Sequence, residues 1–450
     1  MQGDLTLLSA VDAAGAIRSG VLHSEKLVTQ YLNRIDATEP VIKAWAHLDK
    51  GEALQQAKDA DIWRKKGRAT GALHGVPVGL KDIIDTVDMP TQYGTPIHTG
   101  RRAESDARMV ERLREAGAVI MGKTKTTEFA YLHPTDTTNP HDATRTPAGS
   151  SSGSAAAVAA RHVPLAVGTQ TGGSVIRPAS FCGTYGFKPT RGVISRTGVF
   201  RTSVSLDQVG VMANSLADAA LLTNSLGCYD QTDPASFAAP RPDMLGGALA
   251  EAPVEPALVW FDLPFFDRLD DDASEGFEQV IEALGGRVEC MPAAPQMASL
   301  TDVHKTIYDY EICQNVRPFE ADHGDALSGE MTEAIARGKA ITDAQYEDAL
   351  GVKASAEAFF GNLFEDYDAI LCPSASGEAL PLSAGSTGDA INCTIWTLAG
   401  LPCLTMPLLV GANGLPIGVQ LIGGAQEDDR LLRTAAWMQN ALVSDLDEKD

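Results

Sequence analysis

The chain has 450 residues, of which 44% are hydrophobic and 21% charged, a composition typical of globular proteins and unlike that of disordered or fibrous chains. Its 36 basic and 59 acidic side chains give a net charge of −23, which opposes direct binding to the phosphate backbone of a nucleic acid. The N-terminus lacks the basic start and apolar core of a signal peptide, and the uncharged residues 390–426 are interrupted by prolines and glycines, so we expect a cytoplasmic protein without a membrane span.

Two helices are predicted at the start of the chain. The first covers residues 9–18 and ends before Gly20, and the second covers residues 24–35, where apolar residues recur at helical spacing. We therefore expect residues 1–65 to form a helical region that packs on the rest of the protein.

From Gly75 onwards, short apolar runs alternate with helical stretches. The runs are bounded by glycine or proline and predict strands at residues 76–80, 118–121, 165–167 and 209–212. The helical stretches cover residues 107–116, 154–160 and 216–225. Such alternation is typical of an α/β fold in which helices cover both faces of a sheet.

The second half of the chain continues the pattern after an irregular stretch. Residues 228–256 hold five prolines and are expected to cross the surface. A strand, helix and strand are predicted at residues 257–261, 273–284 and 287–290, with further strands at residues 367–372 and 417–422. We expect residues 1–450 to form a single domain, with residues 228–360 as a peripheral insertion.

Two short motifs match known patterns in the wrong context. Residues 117–124, GAVIMGKT, fit the P-loop pattern, but a predicted helix precedes Gly117 and the four variable residues are themselves a predicted strand. Residues 149–153, GSSSG, fit the nucleophile elbow of α/β-hydrolases, but the residues before them are polar and end in proline. No histidine base accompanies this serine, because His304 and His323 are expected to be surface or helix-cap residues.

Three longer segments together are more specific. They are GVPVGLKD at residues 75–82, PAGSSSGSAAA at residues 147–157 and GTQTGGSVIRPA at residues 168–179. In these segments the chain resembles the amidase signature family of serine hydrolases, and the resemblance extends to GLPIGVQ at residues 414–420. It implies an α/β fold with a large mixed, mostly parallel twisted sheet covered by helices on both faces.

The local sequence around Lys81 and Ser174 indicates a catalytic role for each residue, independently of the family resemblance. Lys81 ends a predicted strand and precedes two isoleucines, and burial there would disfavour its ammonium form, which makes the amine a candidate general base. A lysine that reaches from the strand end into solvent is the alternative. Ser174 follows Gly172 and Gly173, which let the backbone turn sharply so that successive N–H groups point one way beside the hydroxyl. A small-residue turn that caps a helix is the alternative.

The resemblance assigns a catalytic triad to Lys81, Ser150 and Ser174. Ser150 would follow a cis peptide bond with Gly149 and would relay the proton of the nucleophile Ser174 to Lys81. Three neighbouring serines are local alternatives for the relay, although capping of the following helix is the more plausible role for them: Ser151, Ser152 and Ser154.

The resemblance also implies an oxyanion hole and an acyl-enzyme without a cofactor. The hole would be formed by the N–H groups of Thr171, Gly172, Gly173 and Ser174. Ala148 and Gln170 stand where the family commonly has glycine and aspartate. Neither departure removes a reacting group, and both are expected to affect loop rigidity and substrate preference. The seven cysteines form no Cys-x-x-Cys pair, so they indicate reduced thiols rather than a zinc site, and no metal or organic cofactor is expected.

Four residues are candidates for substrate binding: Gly149, Arg177, Phe129 and Tyr131. Arg177 lies three residues after Ser174 and would meet a substrate carboxylate, or alternatively would form a buried ion pair with Asp207. Core packing is the alternative for the two aromatic residues.

We therefore predict an amidase that hydrolyses the C–N bonds of small amides, with carbamates, urethanes and ureas as further candidate substrates. The first alternative is the glutaminase subunit of a tRNA-dependent amidotransferase, and the second is a non-catalytic scaffold that keeps the fold. The expected partner is a small-molecule amide. Neither nucleic acid nor membrane is an expected partner, and a homodimer is left open.

Overall fold

The structure is a computed structural model that describes residues 3–449, with side chains described through residue 442. Its strands are β1 Trp45–Leu48, β2 Pro77–Lys81, β3 Val119–Thr124, β4 Leu165–Gln170, β5 Tyr185–Lys188, β6 Gln208–Ala213, β7 Leu258–Asp262, β8 Val288–Pro292, β9 Ala369–Pro373, β10 Cys403–Val410 and β11 Pro416–Ile422. Its α-helices are α1 Ala10–Ser19, α2 Ser24–Ile42, α3 Lys50–Lys65, α4 Arg108–Glu115, α5 Ser152–Ala159, α6 Ile176–Phe181, α7 Leu216–Leu226, α8 Met244–Leu249, α9 Asp271–Leu284, α10 Pro295–His323, α11 Gly329–Ala340, α12 Asp343–Leu363, α13 Ile391–Leu398 and α14 Asp428–Lys449.

The strands of the described residues join in one mixed sheet with the order β1-β3-β2-β4-β6-β5-β10-β11-β9-β7-β8. Parallel pairs form two blocks, β3-β2-β4 and β9-β7-β8, and the other neighbours are antiparallel. The predicted α/β fold with a large mixed sheet is confirmed. Its parallel share, four of these ten pairings, is smaller than predicted, in part because the short turn between β10 and β11 permits only antiparallel pairing.

Strand β4 shows how helices cover both faces of the sheet. Leu165 and Val167 belong to a core cluster that includes the apolar side chains of α7. Ala166, between them, belongs to a second cluster with the alanines of α5. Because successive side chains of a strand point to opposite faces, each face of β4 meets its own helix, as the alternation of strands and helices predicted.

The N-terminal region contains more than helices. Helix α1 begins after Ser9, whose side chain accepts from Asp12 N–H, and ends at Gly20 in the left-handed conformation, close to its predicted bounds. Strand β1 also lies in this region and pairs with β3 at one edge of the sheet. Residues 1–65 are therefore part of the sheet as well as a helical layer.

Residues 228–360 supply the opposite edge of the sheet. The predicted strand, helix and strand correspond to β7, α9 and β8, and β7 and β8 pair in parallel. Helix α10 of the same segment reaches the loop after β4, in the middle of the sheet. Among the described residues, no helix combines the length and hydropathy of a transmembrane span.

Candidate active site

Lys81 is buried at the end of β2, beside β4. The two strands are parallel, so their carboxyl ends meet at one edge of the sheet. Lys81 Nζ lies 2.7 Å from Ser150 Oγ and 2.8 Å from Thr169 Oγ1, with no exposed surface. Burial lowers the pKa of Lys81 from 10.5 to about 7, although the nearby Asp207 acts in the opposite direction. The alternative in which Lys81 reaches solvent is wrong.

Ser150 lies in the loop that leads into α5. The peptide bond between Gly149 and Ser150 is cis, as predicted. The hydrogen bonds of Lys81 Nζ go to Ser150 and Thr169, and no side-chain hydrogen bond caps the start of α5. The hydroxyls of the neighbouring serines instead donate to backbone carbonyls: Ser151 to Thr169, Ser152 to Ala148 and Ser154 to Val167. Ser150 is therefore the serine of this group that is placed to exchange a proton with Lys81.

Gly149 occupies a position without room for a side chain. A Cβ atom there would lie 2.8 Å from the Thr387 methyl group and 2.9 Å from that of Thr127. The Gly149 carbonyl accepts a hydrogen bond of 2.7 Å from Arg177 Nη2. Gly149 thus fixes the backbone next to Ser150 by its small size and its carbonyl contact.

Ser174 lies four residues after the end of β4 and keeps 9% of its surface exposed. Among the described residues, no hydrogen bond joins the Ser174 and Ser150 hydroxyls. The Lys81 half of the predicted relay is therefore a hydrogen bond in the structure, whereas the Ser174 half stays a prediction.

The loop between β4 and α6 is anchored by neighbouring side chains. Thr171 Oγ1 donates to Asp207 Oδ1 at 2.6 Å, and Gln170 Oε1 accepts from the N–H groups of Val175 and Ile176 at 2.8 and 3.0 Å. In the described part of the chain, the N–H groups of Gly172, Gly173 and Ser174 donate to no protein acceptor. These donors are free to bind an anion, as the predicted oxyanion hole requires.

Arg177 is a buried cation without a carboxylate partner in the described residues. It is 1% exposed, and its Nη2 donates to Gly149 O and, at 3.3 Å, to Thr387 Oγ1, while Nε and Nη1 have no partner there. Burial lowers the pKa of Arg177. The alternative of an ion pair between Arg177 and Asp207 is wrong, since Asp207 instead accepts from Thr171 and from the N–H groups of Thr202 and Ser203.

The two aromatic candidates lie in packed surroundings. Phe129 is fully buried and stacks on Phe319 of α10 with ring centroids 5.4 Å apart, which supports the core-packing alternative for this residue. Tyr131 accepts a hydrogen bond of 2.8 Å from Arg337 and meets Tyr308 of α10 edge to face at 5.5 Å. Both aromatic residues therefore connect the site to α10 and α11.

His304 contacts the loop that carries Ser174, which the sequence did not reveal. It was expected at the surface or at a helix cap, but it is 4% exposed within α10 and bonds the Thr171 carbonyl oxygen through Nε2 at 2.7 Å. Thr397 of α13 similarly donates to the Gly172 carbonyl oxygen at 2.7 Å. No local sequence pattern identifies either residue, because the tertiary fold alone brings each of them to the loop between β4 and α6. His323, at the last position of α10, is exposed and near a helix end as expected.

The remaining titratable groups show no arrangement for a metal. In the part of the chain that the structure describes, no group of three or more His, Cys, Asp or Glu side chains is placed to hold a metal ion. The seven cysteines are free thiols, and five of them are buried. Burial raises the pKa of the Cys403 thiol to about 11, so this thiol is neutral and unreactive at pH 7.

The fold and the buried pair of Lys81 and Ser150 define the class to which the chain belongs. A model of the amidase family matches residues 26–432, and the chain is a member of this family of amidase signature enzymes. One relative, from Chloroflexus aggregans, belongs to a glutamyl-tRNA(Gln) amidotransferase as one of its subunits. It is 34% identical over 481 residues, which cover 96% of this chain and 95% of that protein.

Solved structures are similar over nearly the whole chain. One comes from a vestigial protein complex that reveals the evolutionary origins of an s-triazine catabolic enzyme, with a TM-score of 0.90 and 27% identity over 96% of this chain and 98% of that one. The peptide amidase of Stenotrophomonas maltophilia has a TM-score of 0.82 and 28% identity, over 96% of both chains. Family membership and these relatives support an enzyme that acts on C–N bonds.

Proposed function

We propose that the chain hydrolyses small amides through an acyl-enzyme on Ser174. Ser174 Oγ attacks the amide carbonyl carbon while its proton passes to Ser150 Oγ, and the Ser150 proton passes to Lys81 Nζ. The observation that carries the proposal is the 2.7 Å contact between Ser150 and a fully buried lysine whose pKa is lowered to about 7. An amine that is neutral near pH 7 can accept this proton.

The relay then runs in reverse. The tetrahedral intermediate, whose oxyanion is held by the N–H groups after Thr171, collapses with cleavage of the C–N bond. The proton on Lys81 returns through Ser150 to the leaving nitrogen, which departs as ammonia or an amine. Water then attacks the acyl carbon and gives a proton to the same relay, which returns it to Ser174 Oγ as the bond between this oxygen and the acyl carbon breaks. The products are a carboxylic acid and free Ser174, so atoms and protons balance over the cycle.

The surroundings of Arg177 favour a substrate that carries an acidic group near the amide. A buried guanidinium with two unpartnered nitrogens is costly unless an anion neutralises it. A substrate carboxylate would supply both the charge and the two acceptors, in the bidentate geometry that arginine favours. We include an acid-bearing amide in the proposal for this reason.

The comparisons favour the alternative prediction over a stand-alone amidase. Relatives that are 31–34% identical over 96–98% of the chain are, by name, subunits of glutamyl-tRNA(Gln) amidotransferases, and one similar structure comes from a protein complex. The peptide amidase and the 6-aminohexanoate cyclic dimer hydrolase among the similar structures support independent hydrolysis of small amides. The glutaminase subunit of an amidotransferase is therefore our first candidate function, and an amidase that acts without partners is the second.

Purification and a substrate panel distinguish these two candidate functions. The purified chain would be assayed with glutamine, acid-bearing amides, neutral amides, carbamates and ureas, with products identified by mass spectrometry. An amidotransferase subunit should release ammonia from glutamine poorly alone and faster when co-purified with its partners. An independent amidase should turn over a small amide without any partner. A folded chain that hydrolyses no member of the panel in either state and whose Ser174 resists a fluorophosphonate would favour the non-catalytic scaffold.

A further inference from the structure

We propose that His304 and Thr397 are positioning residues that orient the donors of the oxyanion hole. They do so by bonding the carbonyl oxygens of Thr171 and Gly172, which fixes the N–H groups of Gly172 and Gly173. This inference rests on the proposed function, since it concerns how the Ser174 loop stabilises the oxyanion.

His304 holds the first carbonyl from α10. A carbonyl oxygen can only accept, so His304 Nε2 carries the proton in the 2.7 Å contact with Thr171 O. Burial lowers the pKa of His304, which keeps the ring neutral at pH 7. The ring also lies against the loop, because a Cβ atom on Gly172 would be 3.7 Å from its Cε1.

Helix α10 is itself fixed by two carboxylates within two turns after His304. The Glu311 carboxylate accepts from Ser205 N–H at 3.0 Å and from Tyr346 of α12 at 2.5 Å. The Asp309 carboxylate accepts from Arg337 of α11 through both oxygens, at 2.8 and 3.0 Å. These contacts give the His304 ring a rigid support, which a positioning residue needs.

Thr397 holds the second carbonyl from α13. Its hydroxyl accepts from Gln170 Nε2 at 3.0 Å and stands 2.7 Å from Gly172 O and 3.0 Å from Cys393 O. Because the Gln170 amide occupies a lone pair of this oxygen, the hydroxyl proton is directed to the carbonyls. Gln170 thus provides a donor that an aspartate at the same position would lack.

The peptide plane transmits each carbonyl contact to the next N–H group. In a trans peptide unit the C=O and N–H bonds point in opposite directions. Fixing Thr171 C=O therefore aims Gly172 N–H away from His304, and fixing Gly172 C=O aims Gly173 N–H away from Thr397. The third unit is fixed in the same way, since Gly173 O accepts from Arg177 N–H at 2.9 Å and this sets Ser174 N–H.

The two glycines explain why the loop needs these anchors. Glycine visits both halves of the φ range with little steric cost, so unanchored peptide units beside Gly172 and Gly173 can rotate. A rotated unit presents its carbonyl oxygen, rather than its N–H, to the developing oxyanion. We therefore expect the anchors to act on the transition state and much less on substrate binding.

The test compares variants with and without the donor. His304→Leu and Thr397→Val remove it, whereas His304→Gln places an amide N–H close to the position of Nε2 and Thr397→Ser keeps the hydroxyl. Thr223→Val is the matched control, since Thr223 is a buried helical threonine of α7 whose hydroxyl donates to Ala219 O at 2.8 Å, outside the site. Each variant is measured for kcat and KM on an amide that the wild type hydrolyses, and for the rate constant of fluorophosphonate labelling.

We expect His304→Leu and Thr397→Val to lower kcat and the labelling rate constant by about 10- to 100-fold, with KM changed by less than about threefold. His304→Gln, Thr397→Ser and Thr223→Val should stay within about fivefold of the wild type. Folded His304→Leu or Thr397→Val with wild-type kcat, or a conservative variant that loses as much as its partner, would overturn the inference. If a substitution at one position prevents folding, the inference is judged from the donor-deleted and conservative variants at the other position.

These outcomes are distinct from failure of the proposed function. A wild-type chain that neither labels at Ser174 nor hydrolyses any amide contradicts the function itself. A wild-type chain that does both, while the donor-deleted variants match it, contradicts only the positioning roles of His304 and Thr397.

Discussion

Replacement of Lys81 by methionine removes the proposed base and keeps an unbranched side chain of similar length. In the wild type, the neutral amine is the active form, so kcat/KM should rise with pH up to about 7 and level off above it. Lys81→Met should lower kcat/KM by about 10²- to 10⁴-fold, the usual contribution of a general base. A loss below tenfold, which corresponds to about 1.4 kcal/mol, would be too small for this role.

The same substitution should stabilise the fold near neutral pH. A pKa lowered from 10.5 to about 7 means that burial of protonated Lys81 costs about 5 kcal/mol at and below pH 7. Loss of the two hydrogen bonds of Lys81, each worth about 1 kcal/mol, leaves a net gain of about 2 to 3 kcal/mol. Between pH 7 and 10.5 the unfolded chain binds more protons than the folded chain, so the cost fades as the pH rises and the net gain should vanish near about pH 9.

Urea unfolding at pH 7 and pH 9, with pH profiles of kcat/KM, tests both parts. Lys353→Met serves as the control, because Lys353 is a buried lysine of α12 that pairs with Glu357 and has a pKa lowered by burial, but lies outside the proposed site. This control should keep wild-type activity. A Lys81→Met protein that retains more than a tenth of kcat/KM would be incompatible with Lys81 as the base, and one that is less stable than the wild type at pH 7 would be incompatible with a costly buried ammonium.

Three further substitutions test the surroundings of the triad. Asp207→Asn should move the acidic limb of the kcat/KM profile to lower pH, because Asp207 raises the pKa of Lys81; an unmoved limb would contradict this coupling. Gln170→Glu keeps the acceptor but removes the donor to Thr397, and should lower kcat by about tenfold with little change in KM; an unchanged kcat would argue against the donor. Arg177→Met should raise KM for an acid-bearing amide by about tenfold or more relative to the neutral analogue, and equal effects on both would contradict carboxylate binding.

The sheet was predictable where its strands are buried on both faces. Such strands read as continuous apolar runs, and β2, β3, β4 and β6 lie within a few residues of the predicted runs. Strand β1 was missed, because four residues at the sheet edge carry too short a pattern. The antiparallel pairings in the middle of the sheet depend on how the chain crosses over, which periodicity does not report.

The site residues that belong to a sequence motif were predictable. Lys81 and Ser150 each belong to a distinctive segment, and the structure joins their side chains across 69 residues of sequence. His304 was not predictable, because it belongs to a helix that packs on α11, α12 and α13 and therefore shows no single apolar face. Its contact with Thr171, 133 residues away, exists only through the path of α10. The division into one domain with an insertion, the cytoplasmic location and the homodimer stay predictions.

The proposed mechanism depends on an uncharged Lys81 that activates Ser174 through Ser150. The decisive measurement is mass spectrometric identification of the residue labelled by a fluorophosphonate, with labelling rate constants for the wild type, Lys81→Met and Ser150→Ala. We predict a label on Ser174 and a labelling rate constant that falls by about 100-fold or more in both variants. A label on another serine, or Ser174 labelling at the wild-type rate in folded Lys81→Met, would contradict this mechanism.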